Sequence, residues 1–273
     1  MRTSQFVDIN WTDNKVRIEL QWVGTADADR PLIVFLHEGL GSVAMWKDFP
    51  QRLCEAANCR GLVYSRPGYG QSTPRSADET WQPDFMHRQA FEVLPALLKE
   101  LAIDTEKDKP WLFGHSDGGS IALLFAARYP NNISGAIVVA PHILVEELSV
   151  RSIEKAKLAY QTTALPHLRS QLARYHGDVD SAFWGWNDIW LNPAFRHWRL
   201  TQAIKTITCP LLAVQGLDDE YGTLEQIHGI KRVLPATQLL ELADCGHSPH
   251  RDQPDALIDA CVVFIRPIVG PQP

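Results

Sequence analysis

Trp111-Leu112-Phe113-Gly114-His115-Ser116-Asp117-Gly118-Gly119-Ser120-Ile121-Ala122-Leu123-Leu124 is the stretch on which the reading of this chain turns. A short apolar run climbs into Gly-His-Ser-Asp-Gly, and a helix-forming run from Ile121 to Arg128 follows at once. That order predicts a strand, a sharp turn carrying Ser116, and a helix. The flanking glycines have a steric reason, because in so tight a turn a Cβ at Gly114 or Gly118 would collide with the neighbouring strand or helix. The serine hydroxyl is then pushed outward, beside helix N–H groups that carry a partial positive charge. Such a place suits the oxyanion formed when a serine attacks a carbonyl. The plainer reading of the same letters is a glycine-rich loop with a capping serine.

Around this centre, strand and helix patterns alternate. Upstream, Gln5 to Ile9 and Lys15 to Val23 alternate like strands about the turn Thr12-Asp13-Asn14, which predicts an opening hairpin. Pro31 to Leu36 is continuously apolar, as a strand covered on both faces must be. It runs into the glycine-bearing loop His37 to Ser42 and a helical pattern over Trp46 to Ala57. Arg60 to Tyr64 reads as a strand, and Phe85 to Leu101 as a helix broken by Pro95. Downstream, Ile133 to Ala140, Leu211 to Gln215 and Gln238 to Leu242 read as strands, Asp255 to Phe264 as a closing helix, and Arg266 to Pro273 as a fraying tail. Such alternation implies a mainly parallel sheet with helices on both faces.

One segment breaks the rhythm. Residues 143–208 are too many for a simple crossover; they hold helical stretches at Val150 to Tyr160 and His167 to Tyr175, then Trp184, Trp186, Trp190 and Trp198. An insertion there would arrive near the carboxyl ends of the strands, where open α/β folds bind ligands. It reads as a helical cap, with residues 1–142 and 209–273 as the core. Most of its tryptophans are expected to pack the cap onto that core.

Composition removes whole classes of function. At 273 residues the chain suffices for one large α/β domain. A net charge of −6 and a pI near 5.9 supply no basic footprint for nucleic acid or an anionic membrane. The five cysteines are scattered without CxxC spacing, so reduced thiols are expected rather than a disulfide framework or a zinc site. Met1 to Asn10 has no apolar signal core, and no apolar run approaches the ~18 residues a membrane span needs. The expectation is a cytoplasmic protein whose partner is a small molecule.

The order of motifs resembles the α/β-hydrolase superfamily, in its branch of serine hydrolases with a helical cap. The resemblance rests on His37-Glu38-Gly39-Leu40-Gly41, Arg66-Pro67-Gly68-Tyr69-Gly70-Gln71-Ser72, Gly114-His115-Ser116-Asp117-Gly118, Gly216-Leu217-Asp218-Asp219-Glu220 and Gly246-His247-Ser248-Pro249-His250. It implies an eight-stranded, mainly parallel sheet with the cap inserted after the sixth strand. It also implies a catalytic triad in the chain order nucleophile, acid, histidine, met by Ser116, Asp219 or Asp218, and His247. The family's spacing after the loop glycine favours Asp219, leaving Asp218 to the turn. The oxyanion hole is implied to combine the N–H of Asp117 with that of Gly39. Glu38 departs from the family's usual glycine at that position; it either points away as a surface charge or reaches the pocket and disfavours anionic substrates.

The chemistry agrees with the resemblance. A serine hydroxyl needs a base to take its proton, and a histidine with a pKa near 6.5 can do so. A carboxylate then fixes the imidazole tautomer and stabilises the imidazolium. His247 is preferred among the ten histidines because it follows a glycine after the last strand; His250 reads as a supporting residue. Glu38, Leu40, His115, Trp184, Trp186 and Trp190 are expected to line the substrate pocket.

The serine also narrows the chemistry, since dehalogenases and epoxide hydrolases of the fold use an aspartate. The leading expectation is hydrolysis of a small or medium carboxylic ester, thioester or lactone through an acyl-enzyme. A C–C bond hydrolase of an aromatic ring-cleavage product is the alternative, favoured if cationic cap residues such as Arg169 or Arg174 face Ser116. A ligand receptor of the same fold with negligible turnover is a third. No cofactor is expected: Gly39-Leu40-Gly41 lacks the rest of a dinucleotide fingerprint, and His37, His115 and His142 lack companions at metal-ligand spacing.

Overall fold

In the computed structural model, which describes residues 4–76, 78–162 and 168–269, the core is one eight-stranded sheet. The strands are β1 (Gln5–Trp11), β2 (Asn14–Gly24), β3 (Leu32–Leu36), β4 (Arg60–Tyr64), β5 (Trp111–His115), β6 (Gly135–Val139), β7 (Leu211–Gly216) and β8 (Gln238–Leu242). They lie in the order β1-β2-β4-β3-β5-β6-β7-β8; β1 and β2 are antiparallel to their neighbours and every other pair is parallel. The hairpin turns at Thr12 and Asp13, both in the left-handed region with φ of 50° and 62°. That is what a two-residue connection matching the strand twist requires.

Strand parity builds two cores. Val34, Leu36, Leu112, Val138 and Ala213 face one side, where the helices Leu94–Glu100 and Asp117–Arg128 cover them. Ile33, Phe35, Trp111, Phe113, Ile137 and Val214 face the other, under the helices Phe49–Ala57 and Pro254–Val269. Every residue of β3, β5 and β6 is buried, which explains why these strands read as unbroken apolar runs.

Several helix boundaries differ from the sequence reading. Pro95 does not break its helix: a π-helical turn, Gln89–Val93, joins Phe85–Arg88 to Leu94–Glu100. The wider turn makes room for a ring that lacks an N–H. The pattern over Trp46 to Ala57 splits into a 3-10 turn, Val43–Trp46, and the helix Phe49–Ala57, with Lys47 at φ 56° between them. The last helix extends to Val269, through the start of the expected tail, because Phe264 and Ile265 keep packing on the sheet; residues 270–273 lie outside the described residues.

Between β6 and β7 stand the helices Glu147–Gln161, Leu168–Leu172 and Val179–Trp190; His167 lies outside the described residues. Val179–Trp190, which carries Trp184, Trp186 and Trp190, is a helix that the sequence pattern does not predict; it is capped by Asp178, whose side chain accepts from Ser181 N. His176 ties this segment to the sheet loops: its Nδ1 accepts from Gly70 N at 2.9 Å and its Nε2 donates to the Leu40 carbonyl at 3.0 Å. All five cysteines carry free thiols. Among the described residues no helix is long and apolar enough to cross a membrane.

Candidate active site

Ser116 sits where β5 turns into the helix Asp117–Arg128, with φ 52° and ψ −119°. A non-glycine residue held at positive φ stores strain of the kind found at functional turns. Its N–H donates to the Val139 carbonyl at 2.9 Å, pinning the turn to β6. A Cβ on Gly114 would lie 2.2 Å from the Gly118 carbonyl oxygen, and one on Gly118 would lie 2.0 Å from that of Leu36. Both glycines are therefore demanded by backbone, which cannot move aside as a side chain can.

The loops after β7 and β8 bring the other two residues to the same sheet edge. Leu217 N donates to the Leu242 carbonyl at 2.8 Å and Asp218 N to that of Cys245 at 3.0 Å. His247 N donates to Glu220 Oε2 at 3.1 Å. From there His247 Nε2 lies 2.9 Å from Ser116 Oγ, and Nδ1 lies 2.9 and 3.0 Å from Asp219 Oδ1 and Oδ2. Asp219 Oδ1 also accepts from Tyr221 N and Gly222 N, and Oδ2 from Gln215 Nε2. Asp218 is exposed and makes no such contact. His250 is buried against Trp46 and His115, with ring centroids 4.9 and 4.7 Å away, and packs rather than joining the line.

The electrostatics fit that line. Burial works against charging His247, but the hydrogen bond and charge of Asp219 outweigh it and lift its pKa above the ordinary histidine value. Burial likewise opposes ionising Asp219, and His247 with the Tyr221 N–H overcomes it, holding the carboxyl below its usual range.

Glu38 neither points away nor stands free. Its Oε2 lies 3.5 Å from His115 Nδ1, and its Oε1 accepts from Arg251 Nη2 at 3.3 Å. Burial opposes its ionisation, yet the neighbouring His115, with His250 and Arg251, keeps the carboxyl well below the usual range. His115 Nε2 donates to the His247 carbonyl at 2.7 Å, so this corner braces the histidine loop.

The backbone of the same loop is held hard. The Glu38 carbonyl accepts from His37 Nδ1 at 2.7 Å, Arg66 Nη2 at 2.9 Å and Gly41 N at 3.0 Å. Across a trans peptide the next N–H points the opposite way. The Gly39 N–H is thereby turned away from that cluster of donors. Arg66 is fully buried, with Nη2 3.8 Å from Asp117 Oδ2, and Trp190 Nε1 donates to Asp117 Oδ1 at 3.2 Å.

A cavity of about 170 Å³ opens at Ser116. Glu38, Gly39, Leu40, His115, Asp117, Trp186 and Trp190 line it. Trp184 does not, which corrects the expectation that it would: its ring packs on Tyr160 and Phe183, 5.7 and 5.1 Å away, because one turn of helix cannot aim successive tryptophans at one spot. Trp186 covers the loop after β3 so closely that a Cβ on Gly39 would lie 2.3 Å from its ring. Arg169 pairs with Asp180, and neither it nor Arg174 lines the cavity.

The chain matches the alpha/beta hydrolase family over residues 33–260. It belongs to that family. Among its relatives, the 2-hydroxy-6-oxo-6-phenylhexa-2,4-dienoate hydrolase of Burkholderia cepacia is 27% identical over 281 residues, covering 93% of each chain. A thermophilic esterase from Thermogutta terrifontis superposes with a TM-score of 0.71 at 20% identity, over 97% of this chain and 99% of the other. The enol-lactonase of Burkholderia xenovorans gives 0.73 at 19% identity, over 96% and 99%. At such identities the two structures speak to the fold alone.

In this alpha/beta hydrolase, sequence reasoning missed several cavity residues: His142, Ile153, Tyr221, Ser248 and Arg251. Two carried a signal, since Tyr221 lies two residues beyond Asp219 and Arg251 follows the His247 motif within one turn. Ile153 had none, because only the fold of the inserted segment swings it over Ser116.

Proposed function

We propose that this hydrolase cleaves small carboxylic esters, thioesters or lactones through an acyl-enzyme on Ser116. His247 takes the serine proton and gives it to the departing oxygen or sulfur, then takes a proton from the water that attacks the acyl carbon and returns it to Ser116 as the acid leaves; Asp219 holds the ring so that Nε2 faces the serine. The carbonyl oxygen, charged in the tetrahedral intermediate, is received by the N–H groups of Asp117 and Gly39. Residues 143–208 act as the cap, with Trp186 and Trp190 limiting the size of the bound ester. The carrying observation is the 2.9 Å separation of Ser116 Oγ from His247 Nε2 together with the carboxylate behind the ring. A cavity of about 170 Å³ supports a small substrate. Turnover of a p-nitrophenyl ester series tests the reading, with fluorophosphonate labelling abolished by Ser116→Ala as its companion. Folded protein that hydrolyses no member of the series would end it.

A C–C bond hydrolase is the second reading. It is supported by the dienoate hydrolase relative and by Arg251, a guanidinium on the cavity wall that a substrate carboxylate would meet. Against it, Glu38 already occupies Arg251, and the cap arginines named from the sequence stand elsewhere. Assay with a 2-hydroxy-6-oxo dienoate separates the two readings.

A further inference from the structure

His142 is a wall of the cavity that the proposed chemistry does not use. Its backbone is fixed. The N–H donates to Ser120 Oγ at 3.1 Å, Ser120 Oγ donates to its carbonyl at 2.6 Å, and the next N–H, of Ile143, donates to Gln226 Oε1 at 2.7 Å. Ser120 stands one turn beyond Ser116 on the same helix, so serine and histidine keep a set spacing.

The ring is another matter. His142 is 3% exposed, its Nδ1 is sealed from solvent without a partner, and no hydrogen bond joins the ring to another described residue. Its neighbours are the rings of Trp190, 4.8 Å away and edge-on, and His247, 5.7 Å away. Burial, with the nearby charge of His247, pushes its pKa down to about 3, so the imidazole is neutral, with one donor and one acceptor to offer. A leucine or phenylalanine would fill this place without leaving a buried polar atom unpaired. The rigid backbone and the idle ring together mark a group that waits for a ligand.

Its position says which part of the ligand. His247 returns its proton to the departing oxygen, so the side of Ser116 nearest His247 is the leaving-group side, whereas the Asp117 and Gly39 N–H groups serve the carbonyl oxygen. Resting on the ester-hydrolase reading, we propose that His142 is a specificity-determining residue that hydrogen-bonds a second oxygen on the leaving alcohol. The preferred substrates are thus small esters of diols rather than of plain alkanols. A site built to bond a substrate hydroxyl rejects the analogue that lacks it more strongly than an apolar pocket rejects a change of one methylene.

The test compares kcat/KM for 2-hydroxyethyl butanoate and propyl butanoate, whose alcohols have the same number of heavy atoms. The wild-type protein is expected to favour the hydroxyethyl ester by at least about tenfold. His142→Phe should bring the ratio near one by costing the hydroxyethyl ester far more than the propyl ester, and His142→Gln should restore part of the preference. A wild-type ratio near one overturns the proposal without any variant. So does a ratio unchanged in His142→Phe, or an equal loss on both esters, which is what a merely structural histidine would give. Hydrolysis of neither ester by folded wild-type protein overturns the ester reading itself, and the role of His142 with it.

Discussion

Asp219→Asn isolates what the carboxylate contributes, and the structure dictates how the amide must sit. Asp219 Oδ1 receives two backbone donors, Tyr221 N at 2.8 Å and Gly222 N at 3.2 Å. Neither can become an acceptor, so the asparagine oxygen takes that place and its NH2 group takes the place of Oδ2. There it confronts His247 Nδ1, now 3.0 Å from Oδ2, and Gln215 Nε2 at the same distance. Gln215 can turn its amide over, but the imidazole must either keep its Nδ1 proton on the asparagine oxygen, 2.9 Å away, with the NH2 group crowding it, or move that proton to Nε2 and accept from the NH2 group. With Nε2 protonated it cannot take the proton of Ser116. The expected loss in kcat is on the order of 10³–10⁴, the size seen when a triad histidine is held in the wrong tautomer. Because Asp219 raises the His247 pKa, the acid limb of kcat/KM, which requires a neutral ring, should also move to lower pH in the variant. Stopped assays from pH 5 to 9 read both quantities, and urea unfolding checks that the fold is intact. A folded variant within tenfold of wild-type kcat, with its acid limb unmoved, would refute the reasoning.

Gly118→Ala should prevent folding or destabilise by about 3 kcal/mol or more, since its Cβ would press on the Leu36 carbonyl; urea midpoints or the soluble yield report it. Stability should fall as pH drops from 7.5 to 5.5. Burial depresses the pKa of His37, His142 and His250, so each stays neutral when folded while its unfolded counterpart takes a proton below pH 6.5. The loss is about 1 kcal/mol for each, partly offset by His247, whose raised pKa works the other way over the same window; urea melts at the two pH values measure the net. Glu38→Gln frees Arg251, so kcat/KM for an ester bearing a terminal carboxylate should rise several-fold relative to a neutral one, and an unchanged ratio in steady-state assays would assign Glu38 to bracing the His115 loop alone.

The strands and the turn at Ser116 were legible because each rests on local rules. Apolar runs of five residues need cover on both faces, and a serine between glycines at a strand end needs the space they leave. The order of serine, aspartate and histidine was legible only through resemblance, since nothing local joins residues 116, 219 and 247. Pro95 misled because a π-turn just upstream gives its ring room, and no local pattern in the sequence marks such a turn. Trp184 misled because a row of tryptophans shows hydrophobicity but not the helix face each residue takes.

From its letters alone this chain declares an α/β sheet, a strained serine and the family to which both belong. The first two depend on sterics within a few residues, and the third on the order of motifs from His37 to His250. What only the folded molecule decided is which polar groups meet without water between them: Asp219 rather than Asp218 behind the histidine, Glu38 on Arg251, and an unpaired His142 in the cavity wall. Each depends on loops far apart in the chain arriving at one sheet edge, and no nearest-neighbour rule carries that distance.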